Sequence, residues 1–208
     1  INDQEYEKIF KILNELNPFP DYLVISGSIP EGVSNDIYAE MAELAKKKNA
    51  KVIVDVSGPP LKSVIKEGVF LIKPNLGEFQ DLIGKELKAE DQIKEAFTGE
   101  KIEVLSKLVN DKCCQAIVIS IGAGGALLVT DQKAEFVRPP TVPIKSKVGA
   151  GDSMVAGLVL SLARGDSLRN SFHYGLAAGS AAVMTPGTEL CTKEDTDRLF
   201  KKMVKNRF

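Results

Sequence analysis

The chain has 208 residues, 44% apolar and 26% charged, and its 27 basic and 28 acidic residues leave a formal charge of −1. That composition sets it apart from disordered chains, its balance advertises neither a nucleic-acid binder nor a polyanion mimic, and the length suits one large domain or two small ones. No apolar run approaches the roughly 20 residues of a membrane helix, and Cys113, Cys114 and Cys191, with no CxxC pair or histidine cluster, suit neither a disulfide framework nor a zinc site but a reducing cytoplasm.

The first residues, Ile-Asn-Asp-Gln-Glu, carry no initiator methionine, basic n-region or apolar h-region, so neither a signal peptide nor a natural start is legible. Residues 5–16 place Tyr6, Ile9, Phe10, Leu13 and Leu16 on a helical stripe that Pro18 and Pro20 end. Tyr22–Ile25 is a short buried-strand pattern stopped by Ser-Gly-Ser-Ile-Pro. Ser34 or Asn35 can cap a helix through Lys48 with Ile37, Met41, Leu44 and Ala45 on one face. Val52–Val56 and Val69–Ile72 read as further strands, followed by a helix from about Asp91 to Asn110 and a strand at Ala116–Ser120. Ala126–Thr130 and Ala134–Val137 flank Asp131-Gln-Lys as a hairpin. The pattern then turns helical over 152–163, 168–185 and 193–205, broken by Arg-Gly-Asp and Pro-Gly-Thr. Strands apolar at consecutive positions and separated by amphipathic helices belong to a mostly parallel sheet covered on both faces. The class is α/β, and with no repeat or linker the economical organisation is one domain over 1–208.

The strongest chemical signal is Val148-Gly-Ala-Gly-Asp-Ser-Met154, which leads into an Ala/Gly-rich helix. Its glycines let backbone N–H groups approach an anion, and the helix adds unsatisfied amides and the positive end of its dipole. Asp152 at the mouth of that helix suits a base for a hydroxyl attacking phosphorus; the same string is equally an Asp cap after a glycine turn. Lys73-Pro-Asn-Leu-Gly-Glu78 follows a strand end, where a Lys, Asn and Glu suit a phosphate and its metal, or where Asn75 and Glu78 simply cap a helix. Ser120-Ile-Gly-Ala-Gly-Gly125 and Ser26-Gly-Ser-Ile-Pro30 again set small or hydroxylated residues at strand ends. Each alone is a turn; a single crevice at the carboxyl ends of the strands would collect them all, and together they point to phosphoryl chemistry.

Val148-Gly-Ala-Gly-Asp-Ser-Met-Val-Ala-Gly157 and Lys73-Pro-Asn-x-x-Glu78 resemble, in order and spacing, the signatures of the ribokinase-like, or PfkB, carbohydrate kinases. Leu23-Val-Ile-Ser-Gly-Ser-Ile-Pro, Ala177-Ala-Gly-Ser-Ala-Ala182 and Gly187-Thr-Glu-Leu-Cys-Thr look most like that family's bacterial 6-phosphofructokinase branch. The resemblance implies a three-layer fold and an ATP-dependent kinase that phosphorylates the C1 hydroxyl of fructose 6-phosphate. Fructose 1-phosphate and tagatose 6-phosphate are alternative substrates, and a non-catalytic nucleotide-binding fragment is the alternative of another class.

By the same resemblance, Asp152 would be the catalytic base and would meet the sugar, and the Gly149, Ala150 and Gly151 amides would hold the moving phosphoryl group. Lys73 would touch the nucleotide phosphates, with Asn75 and Glu78 organising Mg²⁺ through water. Ser120, Gly122, Gly125 and Ser180 would border ATP; Ser28 and Ser26 would reach the sugar phosphate. A K⁺ site would draw on Ser146, Val148, Ala182, Thr185, Gly187 and Glu189, where Glu189 departs from the basic residue of the branch. Family members carry roughly one hundred further N-terminal residues, a small domain's worth, with the sugar-binding loop and a β-sheet lid that usually makes a homodimer. Their absence implies a poorly active fragment. His173, on an apolar helix, reads as a packed histidine, and Lys46-Lys-Lys48 as a solvated last turn.

Overall fold

The computed structural model describes residues 3–84 and 100–205. Six strands, β1 (Tyr22–Ser26), β2 (Lys51–Asp55), β3 (Val69–Ile72), β4 (Cys114–Ser120), β5 (Ala126–Thr130) and β6 (Ala134–Val137), lie in sheet order β1-β2-β3-β4-β5-β6. β1 through β4 pair in parallel, with Ser26 opposite Asp55 and Val54 opposite Ile72. Residues 121–125 join β4 to β5 and residues 131–133 join β5 to β6; a parallel return needs about a dozen residues or more, so these neighbours are antiparallel. Val52, Ile53 and Val54 are all buried, as are Ala116 through Ile119. Successive strand residues face opposite ways, so both faces of β2 and β4 are covered, as expected. β1 at the sheet's edge leaves Val24 exposed.

Contacts divide the chain into two compact units, Ile1–Ile117 with Val129–Lys133, and Val118–Leu128 with Ala134–Phe208. The first holds α1 (Asp3–Glu15), α2 (Ile37–Lys47), α3 (Gly58–Val64), which runs into a 3₁₀ turn at Ile65–Glu67, α4 (Leu76–Ile83) and α5 (Glu100–Asn110). Only the latter half of the helix expected from Asp91 falls in the described residues. Neither Ser34 nor Asn35 caps α2: the Ser34 hydroxyl accepts from the Asp36 amide, and the Asp36 carboxylate is taken by the Ser63 hydroxyl instead of a helix amide. The buried face is Ile37, Ala39, Ala42 and Ala45; Met41 and Leu44 are only half-buried, so small residues meet the interior. α3 is an element the sequence analysis does not predict; Pro59 and Pro60 sit in its first turn, after Ser57 as cap, where proline's missing N–H costs nothing. At Gly68, φ is 70° and a Cβ would stand 2.8 Å from the Lys112 carbonyl oxygen, so only glycine leads into β3.

The second unit holds β6, α6 (Ala150–Ala163), α7 (Leu168–Ala182) and α8 (Lys193–Lys205). α6 and α7 pack at close range through glycine. A Cβ on Gly157 would come within 2.6 Å of Ala178 Cβ, and one on Gly175 within 2.6 Å of the Met154 carbonyl oxygen. α7 stops at Ala182, short of the expected Thr185, because the Val183 carbonyl turns to accept from the amides of Lys145 and Ser146. α8 closes over Ala177 and Ala181 through Leu199, with Val142 and Phe200 against the same cluster. His173 is buried, with Nε2 3.1 Å from Glu135 Oε1, and Arg169 grips the same carboxylate through two bonds, which ties α7 to β6. That is the packed role expected of it.

Candidate active site

The sequence-derived site residues fall into two groups, one in each unit. In the first unit, the parallel register of β1, β2 and β3 brings their carboxyl ends to one edge. The Gly27 amide donates to the Asp55 carbonyl (3.2 Å) and the Lys73 amide to the Val54 carbonyl (2.9 Å), so the loops after β1 and β3 are both laced to the end of β2. Ser26 and Ser28 stand exposed on that edge. Lys73 is only 5% exposed, and its ammonium lies 3.0 Å from the carboxylate of Asp55, which is 14% exposed. A lysine buried to that degree requires a counter-charge.

Asn75 and Glu78 form a reciprocal capping box at the start of α4. Asn75 Oδ1 accepts from the Glu78 amide (2.9 Å) and Glu78 Oε2 accepts from the Asn75 amide (2.8 Å). The structural reading of this motif therefore holds, and it leaves Glu78 Oε1 outside the box. Among the described residues no group of three or more His, Cys, Asp or Glu gathers as a metal cage. The Glu78 carboxylate, with the Asn75 side-chain oxygen beside it, is instead the sparse oxygen set that Mg²⁺ takes when waters and a ligand's phosphates complete its shell, so these residues fit that ion.

In the second unit, Gly149 ends the loop before α6 with φ 73° and no side-chain cap. No atom crowds the position a Cβ would take there, so the left-handed backbone alone requires glycine. This turn starts α6 at Ala150, ahead of the expected Asp152, and the first full-turn bond runs from the Ser153 amide to the Gly149 carbonyl (2.8 Å). The Ala150, Gly151 and Asp152 amides precede that bond at the positive end of the helix. Asp152 is exposed in this first turn, whereas the Ser153 hydroxyl beside it is buried and has no hydrogen-bond partner among the described residues.

Ser120 and Gly122 border the turn after β4, with Gly122 exposed. Gly125 is buried, and a Cβ there would stand 2.4 Å from the Val137 carbonyl oxygen, which gives it a steric reason to be glycine. Ser180 is buried, and its hydroxyl donates to the Leu176 carbonyl one turn back (2.7 Å). The residues assigned to a monovalent cation lie in two hydrogen-bonded groups, Ser146 with Val148 and Thr185 with Ala182 and Glu189. Ser146 is held to Val183, its hydroxyl accepts from the Val148 amide, and Thr185 Oγ1 lies 2.7 Å from the Ala182 carbonyl and 2.6 Å from that of Glu189. Gly187 makes the intervening turn with φ 59°. One hydroxyl proton serves one carbonyl at a time, so the cluster holds more lone pairs than protons, and that suits a hard cation.

The pattern of the pfkB family carbohydrate kinases matches residues 2–195. The chain belongs to that family. This pfkB chain is 35% identical over 201 residues to ATP-dependent 6-phosphofructokinase isozyme 2 of Escherichia coli, covering 96% of the chain and 62% of that protein. It is 33% identical over 200 residues to the 1-phosphofructokinase of Borreliella burgdorferi, covering 96% of the chain and 61% of that protein. A crystal structure of phosphofructokinase-2 from E. coli in complex with potassium superposes with a TM-score of 0.85 at 34% identity, over 98% of this chain and 63% of that one. The pfkB chain thus spans about three fifths of the length of these relatives, and it carries the α/β fold expected of the family.

Asp55 escaped the sequence reading. Its signal was a lone carboxylate at the end of the apolar run Val52-Ile-Val, a position that only a partner or a ligand justifies.

Proposed function

We propose that this chain is the nucleotide-binding and catalytic domain of a cytoplasmic phosphosugar kinase that transfers the γ-phosphoryl group of ATP to the C1 hydroxyl of fructose 6-phosphate. The observation that carries this reading is the turn into α6. A left-handed Gly149, the first-turn amides of α6, of which that of Ala150 makes only a long bond to the Lys147 carbonyl (3.5 Å), and an exposed Asp152 in the same turn offer a place for a phosphoryl group beside a carboxylate base.

In this reading Asp152 takes the proton of the attacking sugar hydroxyl, while the amides of residues 149–151 receive charge that develops on the transferring group. A loose phosphoryl transition state asks for position and charge more than for a strong base. Lys73 contacts the nucleotide phosphates, Ser26 and Ser28 the sugar phosphate, and Ser120, Gly122 and Gly125 border the nucleotide. Ser180 contributes through packing more than through its hydroxyl, which Leu176 already holds. Asn75 and Glu78 would hold Mg²⁺ through water, and the ion would supply charge neutralisation on the nucleotide phosphates. K⁺ would be held by the oxygens of Ser146, Val148, Ala182, Thr185, Gly187 and Glu189 and would steady the loop before Gly149; its presence in a relative's crystal supports the assignment.

The names of the relatives leave two other sugar substrates in view, fructose 1-phosphate among them. Coupled ADP release with fructose 6-phosphate, fructose 1-phosphate and tagatose 6-phosphate, each with MgATP, tests the proposal. Turnover fastest with fructose 6-phosphate supports it. A faster rate with another of the three replaces the substrate, and MgATP binding without transfer to any would make the chain a nucleotide-binding module.

A further inference from the structure

The last strand leads into a groove that the chemistry above does not use. Residues 136–141, at and beyond the end of β6, and the last turn of α8 at Lys202 and Met203 enclose a cavity of about 470 Å³, all within the second unit. A volume of that size holds a small organic molecule. Its walls are largely apolar, with Phe136, Pro139, Pro140 and Met203 each half-buried. They are also fixed before anything binds. A Cβ on Gly125 would stand 2.4 Å from the Val137 carbonyl oxygen and 3.2 Å from both Phe136 Cζ and Arg138 Cα, so one wall rests on the β4–β5 turn without slack. Met203 packs with Phe200 against the cluster of Leu199, Ala177 and Ala181, which anchors the other wall. None of the residues lining the groove is assigned above to nucleotide, sugar or cation.

The charges at this groove are of one sign. Arg138 and Lys202, both exposed, line it, no Asp or Glu does, and neither cation has an ion-pair partner among the described residues. Arg169, Lys193 and Arg198, in the same unit, each hold a carboxylate. Pro139 and Pro140 carry no N–H, so recognition of an anion falls to the two cationic side chains. Arg138 offers the planar fork that grips a phosphate through two bonds, and a phosphate monoester, close to two negative charges at neutral pH, balances both cations at once. We propose that this groove is a binding site for an aromatic phosphate monoester, its ring against Phe136, the prolines and Met203 and its phosphate shared by Arg138 and Lys202. Aromatic and thioether side chains are favourable faces for such a ring.

The test is a calorimetric titration of 1-naphthyl phosphate into the 208-residue chain, with excess MgATP present throughout so that the proposed nucleotide site is not what the probe fills. One saturable site is expected. Arg138→Gln should raise the dissociation constant at least about tenfold, as loss of a two-bond charged contact implies, and Lys202→Gln about threefold. Both side chains are exposed, so Tm should stay at the wild-type value and loss of binding is not loss of fold. Arg138→Lys, which keeps the charge and loses the fork, should fall between wild type and Arg138→Gln. Inorganic phosphate should bind at least about tenfold more weakly than the probe, since it leaves the apolar walls unused. Equal binding of inorganic phosphate would make the groove an indifferent cationic surface, and unchanged affinity in both Gln variants would place the probe elsewhere. Either result, or no saturable binding up to about 1 mM, overturns the proposal.

Discussion

Replacing Gly175 by alanine tests whether the α6–α7 contact holds the proposed phosphoryl site in shape. The new Cβ would stand 2.6 Å from the Met154 carbonyl oxygen, 3.0 Å from Leu158 Cβ and 3.3 Å from the Leu158 amide nitrogen. A carbon meets a carbonyl oxygen comfortably near 3.3 Å, so α7 must retreat by roughly 0.7 Å. Two of these three obstacles are helix backbone, which cannot swing aside, and this places the substitution at the upper end of overpacking costs, about 3 kcal/mol. Alanine returns about 1 kcal/mol through helix propensity, which leaves a net loss of about 2 kcal/mol. For a chain of this size that is a fall of about 4–8 °C in Tm, read by thermal unfolding followed by circular dichroism, with urea unfolding as a check on its two-state character. Nucleotide affinity should fall with it, since Gly179, one turn along α7, abuts the carbonyl of Ala150 in the first turn of α6. A variant as stable as wild type, or more so, would mean that propensity acts unopposed and that the close contact is not real.

In an enzyme that also carries the family's N-terminal portion, Asp152→Asn should lower kcat at least about a hundredfold with little change in ATP affinity, as loss of a positioned base implies; near-normal turnover in a coupled assay would remove Asp152 from that role. Glu78→Gln keeps an oxygen for the capping box and loses the charge, so thermal stability should hold while the Mg²⁺ concentration needed for half-maximal ATP binding rises; Glu78→Ala should also lose about 1 kcal/mol in urea unfolding. If both variants keep wild-type Mg²⁺ dependence, Glu78 is a cap and nothing more. On α8, Asp197 accepts from Lys193 and from the Tyr174 hydroxyl, and these bonds, that of Lys193 foremost, hold its carboxyl below the usual carboxylate range. Its contribution is therefore complete above about pH 4 and lost as pH falls further. The Tm difference between wild type and Asp197→Asn should be constant from pH 5 to about pH 8 and shrink below about pH 4, and a difference that grows on acidification would contradict this linkage.

Much of this architecture was legible because the signals were local and redundant. Val69–Ile72, the hairpin of Ala126–Thr130 and Ala134–Val137, and the Lys193–Lys205 helix lie where their apolar patterns and turn residues place them. The misses lie where a distant partner overrides a local preference. Asp36 is a ready helix cap, but Ser63 on α3 takes its carboxylate. Leu168–Thr185 reads as one helix until the Val183 carbonyl is claimed by the segment at Lys145 and Ser146. The double proline of α3 looks like a terminator because a breaker and a helix start share the same residue, and only the helical turn beyond Pro60 tells them apart.

The candidate site divides along the same line. The glycine turn before α6, the proposed anion site, was readable because its spacing is itself the signal: Gly149 must adopt a left-handed conformation, and the amides after it need no side chain to announce them. The capping box was readable as either structure or chemistry, and its geometry fills both of its bonds without consuming Glu78 Oε1. The Lys73–Asp55 pair was not readable, because its two members are brought together by register between β2 and β3 and nothing in either local string refers to the other. A near-neutral chain can thus carry a charged device that composition conceals, since a buried cation and its buried partner cancel in every count of charge.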